Sequence, residues 1–241
     1  MSEINSSSSV ASATMADTLR LGCDALGVSL TASQLQQLMD FMALLHKWNK
    51  VYNLTAVRDP QDMLTHHLLD SLAAVPALQR HLAQCPVRPA SLLDVGSGGG
   101  LPGVVFAICC PELQVSCVDT VAKKAAFVQQ VAVSLHLTNL RGIHARVENL
   151  SGPFDVVSCR AFASLPDFVT WSRSALKPGE GAEPGGVWLA MKGKVPSDEM
   201  AALPADVSVF HVEPLTVPGL DAERCIVWMR PSPLLPSPSV A

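Results

Sequence analysis

The sequence SLLDVGSGGGLPG, which covers residues 91–103, decides how the chain folds. A short apolar run ends at Val95 and is followed by glycines at positions 96, 98, 99, 100 and 103. The apolar run predicts a buried strand, and the closely spaced glycines predict a tight turn into a helix. Because glycine has no side chain, such a turn also lets a ligand come close to the backbone. So many glycines in one short loop are poorly explained by a turn alone.

The pattern of apolar residues changes at about residue 90. Five short β-rich runs follow, and helical segments separate most of them: ASLLDV, LQVSCVD, LRGIHARV, FDVVSCRA and GVWLAMKG. This alternation predicts a parallel sheet of the α/β class. Two last runs, VSVFHVEPLTV and RCIVWMR, are joined by PGLDAE and predict a terminal antiparallel hairpin. The expected fold is therefore a mostly parallel, Rossmann-like sheet of seven strands.

The segment ahead of the glycine loop is predicted to be helical. The stretch TASQLQQLMDFMALLHKWNKVYNL begins with a capping box formed by Thr31 and Gln34. Its apolar residues recur at helical spacing: Leu35, Leu38, Met42 and Leu45. A second helix is expected to begin at Asp59 and Pro60. These helices are expected to form a cap on the main domain.

Composition divides the chain into four predicted segments. Residues 1–14 are serine-rich and residues 232–241 are rich in proline and serine, so both are expected to be disordered. Residues 15–85 form the predicted helical cap, and residues 86–231 form the predicted main domain.

Charge and cysteine content limit the possible functions. The net charge is −4, which argues against indiscriminate nucleic-acid binding but leaves room for a local basic patch. The seven cysteines include no C-x-x-C pair and lie mostly in apolar runs, which favours buried thiols in a reducing compartment. The start resembles no signal peptide, and no apolar run reaches the ~18 residues that span a membrane. We expect a cytoplasmic monomer without a membrane partner.

Three ligands fit a glycine loop of this kind: a nucleoside triphosphate, a dinucleotide and S-adenosylmethionine. A triphosphate loop requires Lys followed by Ser or Thr after the glycines, and neither pair is present. A dinucleotide is harder to dismiss, because Gly98, Gly100 and Gly103 spell G-x-G-x-x-G. Asp119 also ends the next predicted strand about 20 positions later, as that motif requires.

Three features favour S-adenosylmethionine. Asp94 precedes Gly96 by two residues, where it would repel a pyrophosphate but could accept a hydrogen bond, directly or through water, from a cationic amino-acid ligand. Pro102 removes a backbone N–H from the start of the following helix, where a pyrophosphate would need donors. The terminal hairpin resembles the reversed last strand of class I methyltransferases. Asp119 fits either ligand, since its carboxylate can accept both ribose hydroxyls, or it could simply cap the next helix.

Several stretches of the chain resemble one family closely. They are WNKVYNLTAVRDPQDMLTHHLLDSL, LLDVGSGGGLPGVVFAICCPE, CVDTVAKKAAFVQQV, ARVENL, SCRAFASL and MKGK. The chain resembles the RsmG family, also called glucose-inhibited division protein B, whose members methylate N7 of a guanine in bacterial 16S ribosomal RNA. The resemblance implies a class I methyltransferase fold with an N-terminal helical cap, S-adenosylmethionine as cofactor, and 16S ribosomal RNA or the small ribosomal subunit as partner. The chain departs from the family pattern by an apparent insertion at residues 178–186.

The resemblance also implies a set of cofactor contacts. Gly96 and Leu101, together with Gly98 and Asp94 of the loop, should lie along the methionine and ribose. Asp119 should hold the ribose hydroxyls. The remaining contacts follow later strands: Val147 and Glu148 at the adenine, and Arg160 between cofactor and substrate.

The residues near the expected active edge suit a nucleophile that already has a lone pair. Methylation of a base carbon needs a cysteine thiolate after a proline, and Cys159 has no such proline. Methylation of an exocyclic amine usually needs an Asn/Asp-Pro-Pro-aromatic tetrad, which is absent. Guanine N7 needs neither. This negative evidence agrees with an N7 target and with other lone-pair nucleophiles.

Basic residues follow the predicted strands at their carboxyl ends, where ligands bind in open α/β sheets. Arg160 is the candidate catalytic residue, because it precedes an apolar segment in which a merely solvated charge is awkward. The candidate RNA-binding residues are Lys123, Arg146, Arg160 and Lys192.

Two other functions stay open at this point: a nicotinamide-dependent oxidoreductase, and a regulatory protein that binds S-adenosylmethionine without turnover. A metal site is not expected, because the adjacent histidines His66 and His67 point about 100° apart on a helix. We interpret them, with Asp70 and Ser71, as contacts to the main domain.

Overall fold

The computed structural model describes residues 4–85, 90–179 and 185–232, with side chains described from residue 15 onward. One seven-stranded sheet organises these residues, in the order β3-β2-β1-β4-β5-β7-β6. The strands are β1 (Ser91–Val95), β2 (Gln114–Asp119), β3 (Leu140–His144), β4 (Val156–Arg160), β5 (Val187–Lys192), β6 (Val207–Leu215) and β7 (Arg224–Pro231).

Strand β1 lies at the centre of the sheet and pairs in parallel with β2 and β4. Its residues are buried and alternate between two hydrophobic clusters, with Leu92 in one and Leu93 and Val95 in the other. Such a strand must be apolar on both faces, as parallel strands covered by helices are. Strands β2 and β3 lie on one side of β1, and strands β4 and β5 lie on the other side. The glycine loop after β1 therefore lies at the switch point of the sheet, where the order of the strands changes direction.

The terminal hairpin is confirmed. Strand β7 pairs antiparallel with β5 and with β6, whereas β5 pairs in parallel with β4. The predicted α/β sheet of seven strands is therefore correct, including its reversed end. Residues 180–184 of the apparent insertion lie outside the described residues, as do residues 233–241 of the predicted tail.

Helices cover both faces of the sheet and form the cap. They are α1 (Ile4–Leu26), α2 (Ala32–Tyr52), α3 (Pro60–Met63), α4 (Asp70–Leu72), α5 (Val75–Ala83), α6 (Gly103–Cys109), α7 (Ala122–Ser134), α8 (Leu165–Ser172) and α9 (Ser197–Ala201). A π-helical stretch, Leu64–Leu69, joins α3 to α4. No helix in the described ranges is long and apolar enough to cross a membrane.

The first helix begins earlier than the composition suggested. Helix α1 starts at Ile4, so the backbone of residues 4–14, for which we expected disorder, is helical. The helix is anchored further along, where Leu19 and Cys23 are buried, and helical turns add to an anchored helix far more easily than they nucleate. The boundary between the predicted cap and main domain falls at residues 86–89, outside the described part of the chain.

Helix α2 joins the cap to the sheet. The predicted capping box is present, because Gln34 N donates to Thr31 Oγ1 and Thr31 N donates to Gln34 Oε1. Gln34 Nε2 also donates to the carbonyl of Ile108 at the end of α6, over 2.8 Å. Leu45 packs directly against Gly99, where a Cβ atom would come within 2.9 Å of Leu45 Cδ1. The cap therefore contacts the glycine loop itself.

Candidate functional site

The glycine loop runs from β1 into α6 in a backbone conformation that side chains disfavour. Gly96, Gly98 and Gly100 have φ angles of 65°, 55° and 82°. The left-handed region costs a residue with a Cβ roughly 1–2 kcal/mol, so glycine is needed at each position. The loop is fixed by its neighbour strand, because the N–H groups of Gly96 and Ser97 both donate to the carbonyl of Val118.

Asp94 supports the loop from behind. Its side chain is fully buried, Oδ2 accepts from Gly103 N over 3.0 Å and Oδ1 accepts from Ser158 Oγ over 2.9 Å. Burial raises the pKa of this carboxyl to about 7, against the lowering effect of these hydrogen bonds and of Arg160. Both oxygens accept hydrogen bonds from the protein, and the expected contact between Asp94 and a ligand stays a prediction. Asp94 holds the strand, the loop and α6 together.

Asp119 closes the other side of the loop. Its Oδ2 atom accepts from Gly98 N over 3.0 Å and Oδ1 accepts from Val121 N over 2.8 Å, ahead of α7. The carboxylate thus accepts a hydrogen bond just ahead of α7, as expected if Asp119 only caps that helix, and it also lines a cavity. Lys124 Nζ lies 3.8 Å from Oδ2, so this lysine is not a freely solvated charge.

Two cavities meet at the loop. The first, which we name the rim pocket, has a volume of about 440 Å³ and lies at the carboxyl ends of β2 and β3. The second, the cap–strand cleft, has a volume of about 560 Å³ and lies between the cap and the ends of β4, β5 and β7. Both volumes fall in the range of small-molecule sites. Gly96 and Ala161 line both cavities, so the two lie next to each other.

The predicted cofactor residues divide between these cavities. Asp119, Val147 and Glu148 line the rim pocket, where Phe162 and Trp171 form an aromatic wall. The predicted residues that line the cap–strand cleft are Gly98, Leu101 and Arg160. The site therefore brings together each predicted cofactor residue except Asp94. Its carboxylate, apolar walls and side-chain-free loop suit an adenosyl ligand with a charged amino-acid end.

The loop after β4 is strained at the junction of the cavities. Ala161 and Ala163 have φ angles of 53° and 45°, in the region that favours glycine. Between them, Phe162 packs against Gly96 and makes an edge contact with Trp171, with ring centroids 6.0 Å apart. Strain of this kind persists only where surrounding structure imposes it, and it is concentrated at functional sites.

Arg160 is held in the cap–strand cleft by the cap. Its Nη1 atom donates to Asp70 Oδ2 over 2.8 Å and to the carbonyl of His66 over 2.9 Å. Asp70 is nearly buried and its other oxygen accepts from Arg224 Nε over 2.6 Å. We name Asp70, Arg160 and Arg224 the Asp70 clamp. This cluster has two guanidinium groups on one carboxylate, so it leaves an excess of positive charge and of N–H donors in the cleft.

His67 lies in the same cleft but is unsuited to acid–base work. Its Nε2 atom lies 2.7 Å from Thr55 Oγ1, and its Nδ1 atom is buried without a hydrogen-bond partner among the described residues. Burial and the nearby Arg160 charge lower the pKa of His67 to about 4. The imidazole is therefore neutral at physiological pH. The expected contact between this histidine-rich segment and the main domain is confirmed, since it runs through His66 and Asp70.

The predicted RNA-binding residues differ in how free they are. Lys123 is exposed, with Nζ 5.9 Å from the centre of the Tyr52 ring. Arg146 is exposed over 73% of its side chain, with Glu148 only 3.9 Å away. Lys192 differs, because its Nζ donates to Glu199 Oε2 over 2.8 Å and is only 16% exposed. Lys192 is therefore already paired with a carboxylate, and it is less available to a phosphate than Lys123 or Arg146.

Sequence reasoning missed the partners of Arg160. Asp70 is 90 positions from Arg160, and Arg224 is 154 positions from Asp70. The one available signal was a lone acid, Asp70, within the otherwise apolar stretch LLDSLAAV.

Cys159 was correctly interpreted as structural, because it is buried and burial raises the pKa of its thiol.

Comparison with known proteins identifies relatives across most of the chain. A family model described as rRNA small subunit methyltransferase G matches residues 34–227. A curated protein from Acidovorax sp. (strain JS42), named ribosomal RNA small subunit methyltransferase G, is 74% identical over 218 residues, which cover 88% of this chain and 94% of that protein. A protein of the same name from Polaromonas naphthalenivorans is 60% identical over 215 residues, which cover 89% and 95%.

Solved structures with low sequence identity share the fold. TrmN from Thermus thermophilus is 18% identical, with a TM-score of 0.50, and the match covers 70% of this chain and 53% of TrmN. A structure described as "Conversion of a Disulfide Bond into a Thioacetal Group during Echinomycin Biosynthesis" is 14% identical, with a TM-score of 0.51, and the match covers 66% of this chain and 82% of that chain.

Proposed function

The chain belongs to the family described as rRNA small subunit methyltransferase G, and from that premise we propose that it methylates N7 of a guanine in 16S ribosomal RNA. The enzyme is a methyltransferase that takes its methyl group from S-adenosylmethionine and acts on 16S ribosomal RNA. The guanine, its N7 atom and the roles of individual residues are the steps we add. We also propose that the enzyme works in the cytoplasm as a monomer.

The two adjacent cavities support one placement of the cofactor. We place the adenosine in the rim pocket, where Val147 offers an apolar wall, Glu148 an acceptor and Asp119 a carboxylate for the ribose. The methionine then lies along Gly96 and Gly98, whose missing side chains leave room at the loop. Leu101 and Arg160 border the point at which this end opens into the cap–strand cleft. The target base would enter that cleft.

The chemistry of the cleft supports a nucleophile that brings its own lone pair. The cofactor supplies a methyl group on a positively charged sulfur, and displacement by a lone pair requires alignment and exclusion of water rather than a base. In the part of the chain that the structure describes, the cleft has no thiol in its wall. Of its two histidines, His67 is buried and neutral, and the backbone carbonyl of His66 accepts from Arg160. Asp70 is occupied by two arginines. Guanine N7 fits these conditions.

RNA geometry adds a condition on the substrate. The deep, narrow major groove of A-form RNA hides N7 from side chains, so the target should be an unpaired guanine or one exposed by the ribosomal context. Exposed Lys123 and Arg146 at the edge of the site suit phosphates on either side of that guanine. Arg160 meets the base and is the catalytic residue we propose.

The observation that carries this proposal is that the two cavities share Gly96 and Ala161 in their walls, with Arg160 beside them in the cap–strand cleft. The test uses small subunits reconstituted with 16S RNA, first to map the methylated guanine and then to replace it with 7-deazaguanine, which lacks N7. Radiolabelled methyl transfer should disappear with 7-deazaguanine. Retained transfer at that position would overturn the N7 assignment. Arg160→Ala should cut turnover while S-adenosylhomocysteine still binds.

A further inference from the structure

The cap–strand cleft must do more than present N7, because N7 does not distinguish guanine from adenine. Both purines have an N7 lone pair, and they differ beside it: guanine has the O6 acceptor, whereas adenine has an N6 amino donor. A hydrogen-bond donor near O6 would therefore let an enzyme that methylates N7 select guanine over adenine at the edge beside the reacting atom. Arginine commonly reads guanine through O6 and N7 together, but a guanine about to be methylated at N7 leaves only O6 for that purpose.

Arg224 has the geometry for this contact. It lines the same cleft as Gly96, Leu101 and Arg160, and its side chain is 25% exposed. Its Nε donates to Asp70 over 2.6 Å and its Nη1 donates to the carbonyl of Glu223 over 2.8 Å. Across the described ranges, its Nη2 has no hydrogen-bond partner in the protein. The guanidinium is thus fixed at one edge and retains a free donor.

Asp70 makes this arrangement specific. It accepts from Arg160 through one oxygen and from Arg224 through the other, so it sets the distance and angle between two forked side chains. The carboxylate also offsets part of their charge, which matters because N7 becomes positively charged as the methyl group arrives. The cleft retains donors at the base edge without placing two uncompensated cations beside a developing one.

We propose that Arg224, held beside Arg160 by Asp70, donates to O6 of the target guanine and thereby excludes adenine. This inference rests on the proposed function and adds the residue that selects the base. Asp70 is then a positioning residue for both arginines. In this cleft the N6 amino group of adenine would face the N–H groups of the arginines. Donors on both sides would then lack acceptors and would repel each other.

Single-atom changes in the base test the proposal. After the methylated guanine is mapped, the subunit is reconstituted with hypoxanthine there, which keeps O6 and N7, or with 2-aminopurine, which keeps N7 and lacks O6. The wild-type enzyme should methylate hypoxanthine nearly as well as guanine. It should methylate 2-aminopurine roughly tenfold to a hundredfold more slowly in kcat/KM, the loss expected for one charged hydrogen bond.

Variants of Arg224 connect that loss to the residue. Arg224→Met should reduce the preference for guanine over 2-aminopurine to nearly one, while binding of S-adenosylhomocysteine stays unchanged. Arg230→Met is the matched control, because Arg230 lies on the same strand with its guanidinium stacked over Phe210, and it should keep the full preference. Arg224→Lys keeps a cation beside Asp70. It is a second variant in which the preference for guanine over 2-aminopurine can be measured if the methionine variant does not fold.

Two results would overturn the proposal: equal methylation of 2-aminopurine and guanine by the wild type, or an undiminished preference in both Arg224 variants. These failures differ from failure of the N7 assignment. That assignment is tested by 7-deazaguanine, which retains O6, so the two experiments can succeed or fail separately.

Discussion

The ring of Phe162 lies against the backbone of Gly96, in the space that a Cβ atom on Gly96 would need. Gly96 has a φ angle of 65° and lines both cavities of the site, and Phe162 lines the rim pocket. The end of β4 thus determines which residue can stand in the loop after β1. Because β4 pairs with β1, the residue that follows β4 limits which side chain can stand at position 96 of the ligand site.

This contact predicts a severe effect for Gly96→Ala. The new Cβ would enter a left-handed backbone, at about 1–2 kcal/mol, and would also push against the Phe162 ring, at about 1–3 kcal/mol. We expect binding of S-adenosylhomocysteine, measured by calorimetry, to be lost. Gly27→Ala is the control, because Gly27 has a φ angle of 67° and open space around its Cβ position. It should lose stability but keep binding; equal effects of the two changes would refute the role of the Phe162 contact.

Relaxing the strained loop should separate stability from activity. Ala161→Gly and Ala163→Gly remove the left-handed penalty, so each should stabilise the fold by about 1 kcal/mol in urea denaturation. Each should also lower methyl transfer, because Phe162 is held less firmly between the two cavities. His136→Gly, at an exposed position with a φ angle of 55°, should stabilise without changing activity. Glycine variants at 161 and 163 with full activity would show that the strain has no function.

Asp94 predicts a pH dependence of stability. Its pKa is about 7 in the folded protein against an ordinary value of 3.8 for an aspartate, so the folded state binds more protons between these two pH values. Stability contributed by this site is therefore highest below about pH 4 and declines as pH rises to about 7. Asp94→Asn keeps a neutral side chain that can accept from Gly103 N and donate to Ser158 Oγ. Between about pH 5 and pH 8, the wild type should lose roughly 2 kcal/mol relative to this variant. Parallel pH profiles of the urea midpoints would contradict the prediction.

Arg146 and Lys192 should affect RNA binding differently. Arg146 is mostly exposed, so Arg146→Ala should weaken binding and reduce the slope of log affinity against log salt by about 1. Lys192→Met should chiefly lower thermal stability, because it removes the ammonium partner of Glu199. Burial raises the pKa of Glu199, but the hydrogen bonds from Lys192 and from the N–H of Leu165 together lower it by more. The pKa of Glu199 is therefore below its ordinary value. A reduced salt slope with Lys192→Met and unchanged stability would assign this lysine to RNA instead.

The sequence was sufficient to predict the sheet because its signals are local. Each β-rich run, the glycine loop and the reversed hairpin depend on residues that are neighbours in the chain. The same holds for the capping box of Thr31 and Gln34. Asp119 could be placed near the loop because it ends a strand whose carboxyl end meets that of β1 at one edge of a parallel sheet. Val147 and Glu148 were predicted from the family resemblance, and the structure places them in the same cavity as Asp119.

The parts that were missed depend on long-range contacts. In the Asp70 clamp, Arg160 is 90 positions from Asp70 and Arg224 is 154 positions from it. No local sequence pattern predicts contacts over such separations. The enclosure of Asp94 was also missed, since the sequence places it beside the loop but does not show that Ser158 and Gly103 occupy its two oxygens. The pairing of Lys192 was missed for a different reason: Glu199 is near in sequence but lies on helix α9, and the way α9 packs beside the end of β5 has no local signal.

The Asp70 clamp also has a consequence for synthesis of the protein. A ribosome makes Asp70 in the first third of the chain and Arg224 only near its end. Until that last strand emerges, the acid of the cap has just one of its two arginines, and the cleft is incomplete. Nascent chains arrested before β7 would therefore carry the glycine loop and the cap, but their Asp70 would lack Arg224.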